Sequence, residues 1–246
     1  GDVLLSWKNF IESQKETAGN SRVPATLLMH TDPFDQEGPN LVEIANSLGI
    51  MDNVVFSNQR VGFEKMNVMH NISDACINIA YAEGFGLATL EAMQCGKPII
   101  AVKTGGLTRQ VVDHRDLTHN GIALDVDFKT LVGSQGVPYI YEDYASVDNV
   151  TKAINKIYEM DPQERKNVGK KAKAYVNSEF SYQKTVDLWH DSLIDLIENY
   201  YVLELSKDYA KVKIKYLGKI DKMKEKLAEN GINIEILNNS WKLKLI

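Results

Sequence analysis

Along its first 200 residues the chain alternates between short apolar runs and longer stretches whose apolar residues recur every three or four positions. The runs of strand length fall at 24–30, 53–57, 76–81, 98–102 and 121–125. The stretches with helical period fall at 3–16, 39–49, 63–73, 87–95, 106–113, 147–160, 163–178 and 182–200. This alternation predicts βα units, and hence an α/β fold with a mostly parallel, Rossmann-like sheet and helices on both faces. Ligands of such sheets bind outside the carboxyl ends of the strands. That rule selects four segments for scrutiny: His30-Thr31-Asp32, Ser57 to Val61, Tyr81 to Gly86, and Lys103 to Gly106.

The most informative of these continues from Tyr81 to Pro98, reading YAEGFGLATLEAMQCGKP. Glu83-Gly84-Phe85-Gly86 is a turn between a strand and a helix. Leu87, Leu90, Ala92 and Met93 give the helix an apolar face, and Gly96 and Pro98 stop it. The first amides of a helix have no partners within it, so Leu87 and Ala88 offer donors and the positive end of the helix dipole to an anion, while Gly84 and Gly86 let that anion approach the backbone. Glu83 and Glu91 lie on the order of 10 Å apart along the axis at 1.5 Å per residue. One carboxylate can take the hydroxyls of a sugar and the other those of a ribose, with a pyrophosphate between them.

With its surroundings this string resembles the E-x7-E motif of the retaining, GT-B fold glycosyltransferases, family 4 in particular, in which E-G-F-G-L…E-A-M-x-x-G-x-P recurs. Residues 3 to about 200 resemble the second, donor-binding Rossmann-like domain of that fold. The resemblance implies that Glu91 binds the ribose hydroxyls and Glu83 the donor sugar. Gly84, Phe85 and Gly86 shape the turn, and the amides of Leu87 and Ala88 receive the distal phosphate. Val61 approaches the base through its backbone, and Lys103 is either a phosphate contact or a solvated residue. These enzymes retain anomeric configuration. Front-face attack assisted by the leaving phosphate is the favoured account, with double displacement open, and Glu83 is the catalytic candidate as the group that positions the sugar. The implied substrate is a nucleotide-diphosphate sugar, with no metal and no other cofactor. A sugar-nucleotide epimerase, a phosphorylase and a nucleotide-sugar-binding module without chemistry are the alternatives.

The resemblance covers only half of such an enzyme. The family's acceptor-binding Rossmann domain and the strand that precedes its donor domain's first helix have no counterpart in residues 1–246, and residue 1 is Gly rather than Met. The expectation is a fragment, a processed chain or a subunit, inactive by itself and needing an N-terminal acceptor domain as partner.

Composition refines this picture at the C-terminus. Residues 201–246 hold ten lysines and six acidic residues, whereas the first 200 hold 18 basic and 27 acidic ones. The expected division is therefore 1–200, a donor-binding domain, and 201–246, a lysine-rich appendage. Alternation around Lys211, Lys213 and Lys215, a helical period at Ile220, Met223 and Leu227, and two further apolar alternations give it a β-α-β-β pattern. Without arginine or interleaved aromatics its lysines read as a solvated face, so nucleic acid is not an expected partner. No apolar run reaches transmembrane length. Cys76 and Cys95 read as small core residues of a reducing, cytoplasmic setting, with peripheral membrane attachment open. Three features look like sites and are read otherwise. Asp125-Val126-Asp127 spells D-x-D but follows an Asn-Gly turn, Arg109 stands where relatives carry an acidic residue, and residues 127–144 read as a long loop.

Overall fold

The computed structural model describes residues 1–17, 19, 23–136 and 139–199, and four strands within 201–245. It divides into two compact units, Gly1–Glu179 and Phe180–Ile246, so the helix that begins at Tyr182 falls in the second.

In the first unit α1 (Asp2–Thr17), β1 (Leu27–His30), α2 (Leu41–Ser47), β2 (Val54–Ser57), α3 (Phe63–Ile72), β3 (Cys76–Asn78), α4 (Leu87–Gln94), β4 (Ile99–Val102), α5 (Gly105–Val111) and β5 (Gly121–Leu124) follow the predicted alternation. A hairpin, β6 (Phe128–Val132) and β7 (Ile140–Tyr144), and two helices, α6 (Val147–Glu159) and α7 (Pro162–Glu179), complete it. Local chemistry sets the limits of the helices. Asn40 accepts from the Glu43 amide at the start of α2, and Ser146 from the Asn149 amide at the start of α6. Gly96, at φ +73°, ends α4 in the left-handed conformation that glycine adopts at least cost.

All four residues of β4 are buried, as a strand covered on both faces requires. On one face α1 and α6 pack Phe10, Ile11, Val150 and Ile154 against Ile100, Val102 and Leu124, each such side chain contributing about 1.5–3 kcal/mol when fully buried. On the other face α7 passes close to the end of α4: a β-carbon on Gly169 would overlap the Gly96 carbonyl oxygen. Gly169→Val should therefore lower stability by about 1–3 kcal/mol through overpacking, as read by urea unfolding.

The parallel strands form two groups. β1 pairs with β2, Leu27 opposite Val54, while β3 pairs with β4 and β4 with β5. Between β1 and β3 lies a cavity of about 870 Å³, lined by Leu28, Met29, Cys76 and Ile77 from the strands and by Trp7, Met69 and Ile157 from the helices. Burial pushes the Cys76 thiol up to about 11, and both cysteines are free.

Two expectations change. The strand expected at 76–81 ends at Asn78, whose side-chain oxygen takes the Ala80 amide and turns the chain out of the sheet. Residues 127–144 are not a long loop, because β6 and β7 pair antiparallel with Phe128 opposite Tyr144 and Val132 opposite Ile140. The Gly- and Tyr-rich composition obscured a period-2 pattern that needed a partner strand to become regular.

The second unit contains α8 (Tyr182–Asn199) and two antiparallel pairs, β8 (Tyr201–Leu205) with β9 (Val212–Tyr216) and β10 (Ile232–Leu237) with β11 (Ser240–Leu245). The three expected strands are present and β8 is an addition; the helix expected around 220–227 lies outside the described residues. Among the described residues no helix is long and apolar enough to cross a membrane.

Candidate functional site

The Glu83–Gly86 turn leaves the carboxyl end of β3 and enters α4, and the amino-terminal end of α5 holds it there. The Gly106 amide donates to the Glu83 carbonyl at 3.1 Å. Gly105 has φ +45°, and a β-carbon there would overlap the same carbonyl; one on Gly106 would stand 2.6 Å from the Phe85 carbonyl oxygen. The pair is glycine because the turn lies directly against it.

A buried polar network fixes the turn from below. Gln110, fully buried, donates to the Phe85 carbonyl at 2.5 Å and the Gly86 carbonyl at 3.1 Å. Its own amide oxygen accepts from Thr89 at 2.6 Å, and its backbone carbonyl accepts from Asn120 at 2.8 Å. These contacts hold Gly86 at φ +90°, with Leu107 and Thr89 filling the space that a side chain would need. Gly84 differs, since a β-carbon there would meet nothing within 4 Å. The sequence reading missed Gln110, although a signal existed: it lies at the i+3 position from Leu107, on the apolar face of α5, where a polar residue must carry a specific bonding role.

The expected site residues then separate. Phe85, Leu87 and Ala88 are exposed at the head of α4, with the unbonded first amides of the helix beside them. The Glu83 carboxylate takes the Phe85 amide at 3.4 Å. Glu91, with its side chain 38% exposed, lies just over one turn into α4 and faces α3, where His70 Nε2 is 3.5 Å away. Val61 is half-buried in the connection between β2 and the Gly62 cap of α3. Lys103, at the carboxyl end of β4, forms an ion pair with Asp125.

The hairpin borders the turn on the remaining side. The Asp143 amide donates to the Tyr81 carbonyl at 2.7 Å, and the Asp143 carboxylate accepts from Thr104 at 2.8 Å. The Thr104 hydroxyl, and after it Lys129, hold that carboxyl below the usual carboxylate range. Tyr81, Tyr144 and Phe128 stack successively at 4.1 and 4.8 Å. Burial, the hydrogen bond to Asp2 and nearby negative charge push the Tyr81 phenol up to about 12.

The features read as look-alikes have other occupations. Asp125 pairs with Lys103, while Asp127 accepts from the Ser146 amide and Asn149 at the start of α6, so the two carboxylates of D-x-D serve different partners. Among the described residues no three His, Cys, Asp or Glu side chains are grouped to hold a metal ion. Arg109 reaches Glu179 at 3.4 Å, on α7.

The arrangement is an α/β domain with a glycine turn at a strand end, a helix amino terminus behind it, and the carboxylates of Glu83 and Glu91 on either side. The sequence matches the model of the family "Glycosyl transferases group 1" over residues 35–175, more than half of the chain, and the protein belongs to that family. A D-inositol 3-phosphate glycosyltransferase of Salinispora arenicola is 38% identical over 74 residues, which cover 30% of this chain and 16% of that enzyme. A sucrose-phosphate synthase of Thermosynechococcus elongatus superposes with a TM-score of 0.52 at 22% identity, over 78% of this chain and 42% of that one. The C-terminal domain of a group 1 glycosyl transferase, LpcC of Francisella tularensis, gives a TM-score of 0.51 at 15% identity, over 72% of this chain and 79% of that domain. The chain thus spans about a sixth of the length of the curated relative, and its α/β fold is similar to those of GT-B glycosyltransferases.

Proposed function

We propose that residues 1 to about 200 form the donor-binding half of a retaining glycosyltransferase, which transfers a sugar from a nucleotide-diphosphate sugar to an acceptor hydroxyl. The observation that carries this reading is the placement of Glu83 and Glu91 at opposite ends of a glycine turn and helix amino terminus that Gly106 and Gln110 hold in place. In this reading Glu91 accepts hydrogen bonds from the ribose hydroxyls and Glu83 from the sugar. The amides of Leu87 and Ala88 stabilise the charge that grows on the distal phosphate as its bond to the anomeric carbon breaks. Preorganised donors contribute most where charge develops in this way. The acceptor oxygen joins the anomeric carbon on the face the phosphate leaves, and its proton passes to the departing phosphate. Glu83 positions the sugar, and no metal takes part. An acceptor-binding Rossmann domain completes the cleft.

A second reading is a catalytically incomplete nucleotide-sugar-binding module or subunit that needs a partner acceptor domain. An acceptor-type Rossmann domain encoded immediately upstream favours the transferase; its absence leaves the module.

Both readings require nucleotide binding. At a hundred times its dissociation constant a ligand stabilises the native state by about 2.7 kcal/mol, about 5–10 °C in melting temperature for a unit of this size. A thermal-shift panel of UDP, GDP and ADP should show such a rise with at least one nucleotide. No rise with any of them, supported by calorimetry without heat of binding, rejects the donor site.

A further inference from the structure

His70 has no part in the site as read from sequence, yet its Nε2 lies 3.5 Å from a carboxylate oxygen of Glu91. It lies in the last turn of α3, with its side chain only 13% exposed and its Nε2 buried without a hydrogen-bond partner. A buried polar atom left unpaired is uncommon and calls for a physical reason. The polar atom facing it is Glu91 Oε2 at 3.5 Å, a separation that a small rotation of either side chain closes to a formed bond. Two further contacts fix the distance between the helices that carry them. Cys95, just beyond α4, donates through its thiol to Asn67 at 3.2 Å, and the Lys97 ammonium donates to the Asn71 carbonyl at 2.9 Å. Asn67 and Asn71 flank His70 on α3, so the imidazole is presented to Glu91 by a clamped pair of helices.

We infer that His70 is a positioning residue: its Nε2–H holds one oxygen of Glu91 so that the other is aimed at the ribose hydroxyls of a nucleoside diphosphate. The inference rests on the donor-site reading and deepens it. A free glutamate side chain samples several rotamers, and binding through it requires one of them to be selected. A donor on Oε2 makes that selection before the ligand arrives. Both the Nε2-protonated neutral tautomer and the imidazolium can supply the proton. The ribose meets Glu91 and not His70, so the effect of the imidazole exists only through hydroxyls that Glu91 receives.

The test compares the wild-type chain with His70→Leu, which fills the space without a donor, and His70→Gln, which restores an N–H near the position of Nε2. Affinities for UDP, GDP and ADP, and for their 2′,3′-dideoxy counterparts, are measured by calorimetry. His70→Leu should lose about tenfold in affinity for the ribonucleotide that binds, the size expected for one hydrogen bond to a charged group. Its affinity for the dideoxy counterpart should stay within about twofold of wild type, and His70→Gln should recover most of the loss. Equal losses for ribo- and dideoxynucleotides assign His70 to packing and overturn the inference. Unchanged binding in His70→Leu, in a chain whose wild type binds a ribonucleotide, overturns it while leaving the donor site standing. A wild-type chain that binds none of the three nucleotides overturns both.

Discussion

Glu91→Ala should cost the chain about 10- to 100-fold in affinity for a nucleoside diphosphate, whereas Glu83→Ala should change that affinity by less than about threefold. The difference follows from where each carboxylate lies. Glu91 is on the helix, just over one turn from its amino terminus and facing α3, where the ribose of a nucleotide anchored by its phosphates would fall. Glu83 is in the turn itself, on the far side of the first amides of α4. A hydrogen bond to a charged group contributes about 1.5–3 kcal/mol, and the ribose offers Glu91 two hydroxyls. With the complete nucleotide-sugar the two variants should converge, since Glu83→Ala then forfeits its bonds to the sugar and loses about tenfold or more. Neither side chain is fully buried, so both variants should melt close to wild type. Calorimetric titrations with the diphosphate and with its sugar conjugate separate the two roles. Equal losses of UDP or GDP affinity in both variants would refute this division of labour.

Gly105→Ala should be the most damaging single substitution in the site, lowering stability by about 2–5 kcal/mol and abolishing measurable nucleotide binding. Two costs add. At φ +45° an L residue sits in the left-handed region, at about 1–2 kcal/mol, and the added carbon would overlap the Glu83 carbonyl oxygen, which overpacking measurements place at about 1–3 kcal/mol. The obstructing atom is backbone, so relief requires the turn itself to move, taking with it the Gly106 to Glu83 hydrogen bond and the Gln110 bonds to Phe85 and Gly86. Gly84→Ala serves as the control within the same turn. Its added carbon meets open space, and its stability should stay within about 0.5 kcal/mol of wild type. Urea unfolding of the two variants side by side decides the matter, and comparable stabilities would show that the turn can slide away from α5 at little cost.

The glycines of the turn itself also show how far the sequence could be read. Gly84 and Gly86 were alike in sequence, both assigned to the approach of an anion. Only the packed structure separates Gly86, enclosed by Leu107 and Thr89, from Gly84, which faces open space. The succession of strands and helices in the first 200 residues was legible because burial imposes its period on each element separately: Ile99 to Val102 reads as a strand covered on both faces without knowledge of its neighbours. The β6–β7 hairpin was not legible, since its alternation is half exposed and made regular by pairing. His70 and Gln110 escaped for a related reason. Each acts on a residue about 21 to 25 positions away in sequence, and nothing in the spacing of one segment records its contact with another. Lys103 was a candidate for phosphate, and the fold sets it beside Asp125 as well.

By itself, then, the sequence determined the α/β class, the position of the turn between strand and helix, and the two glutamates that flank it. All of these follow from the periodicity of burial and from local backbone chemistry. The tertiary structure alone decided which glycine the turn cannot lose, which buried amide clamps it, which imidazole faces Glu91, and that the parallel strands stand in two groups with a cavity between them. Those facts depend on distances between elements, and such distances are fixed only when the elements pack.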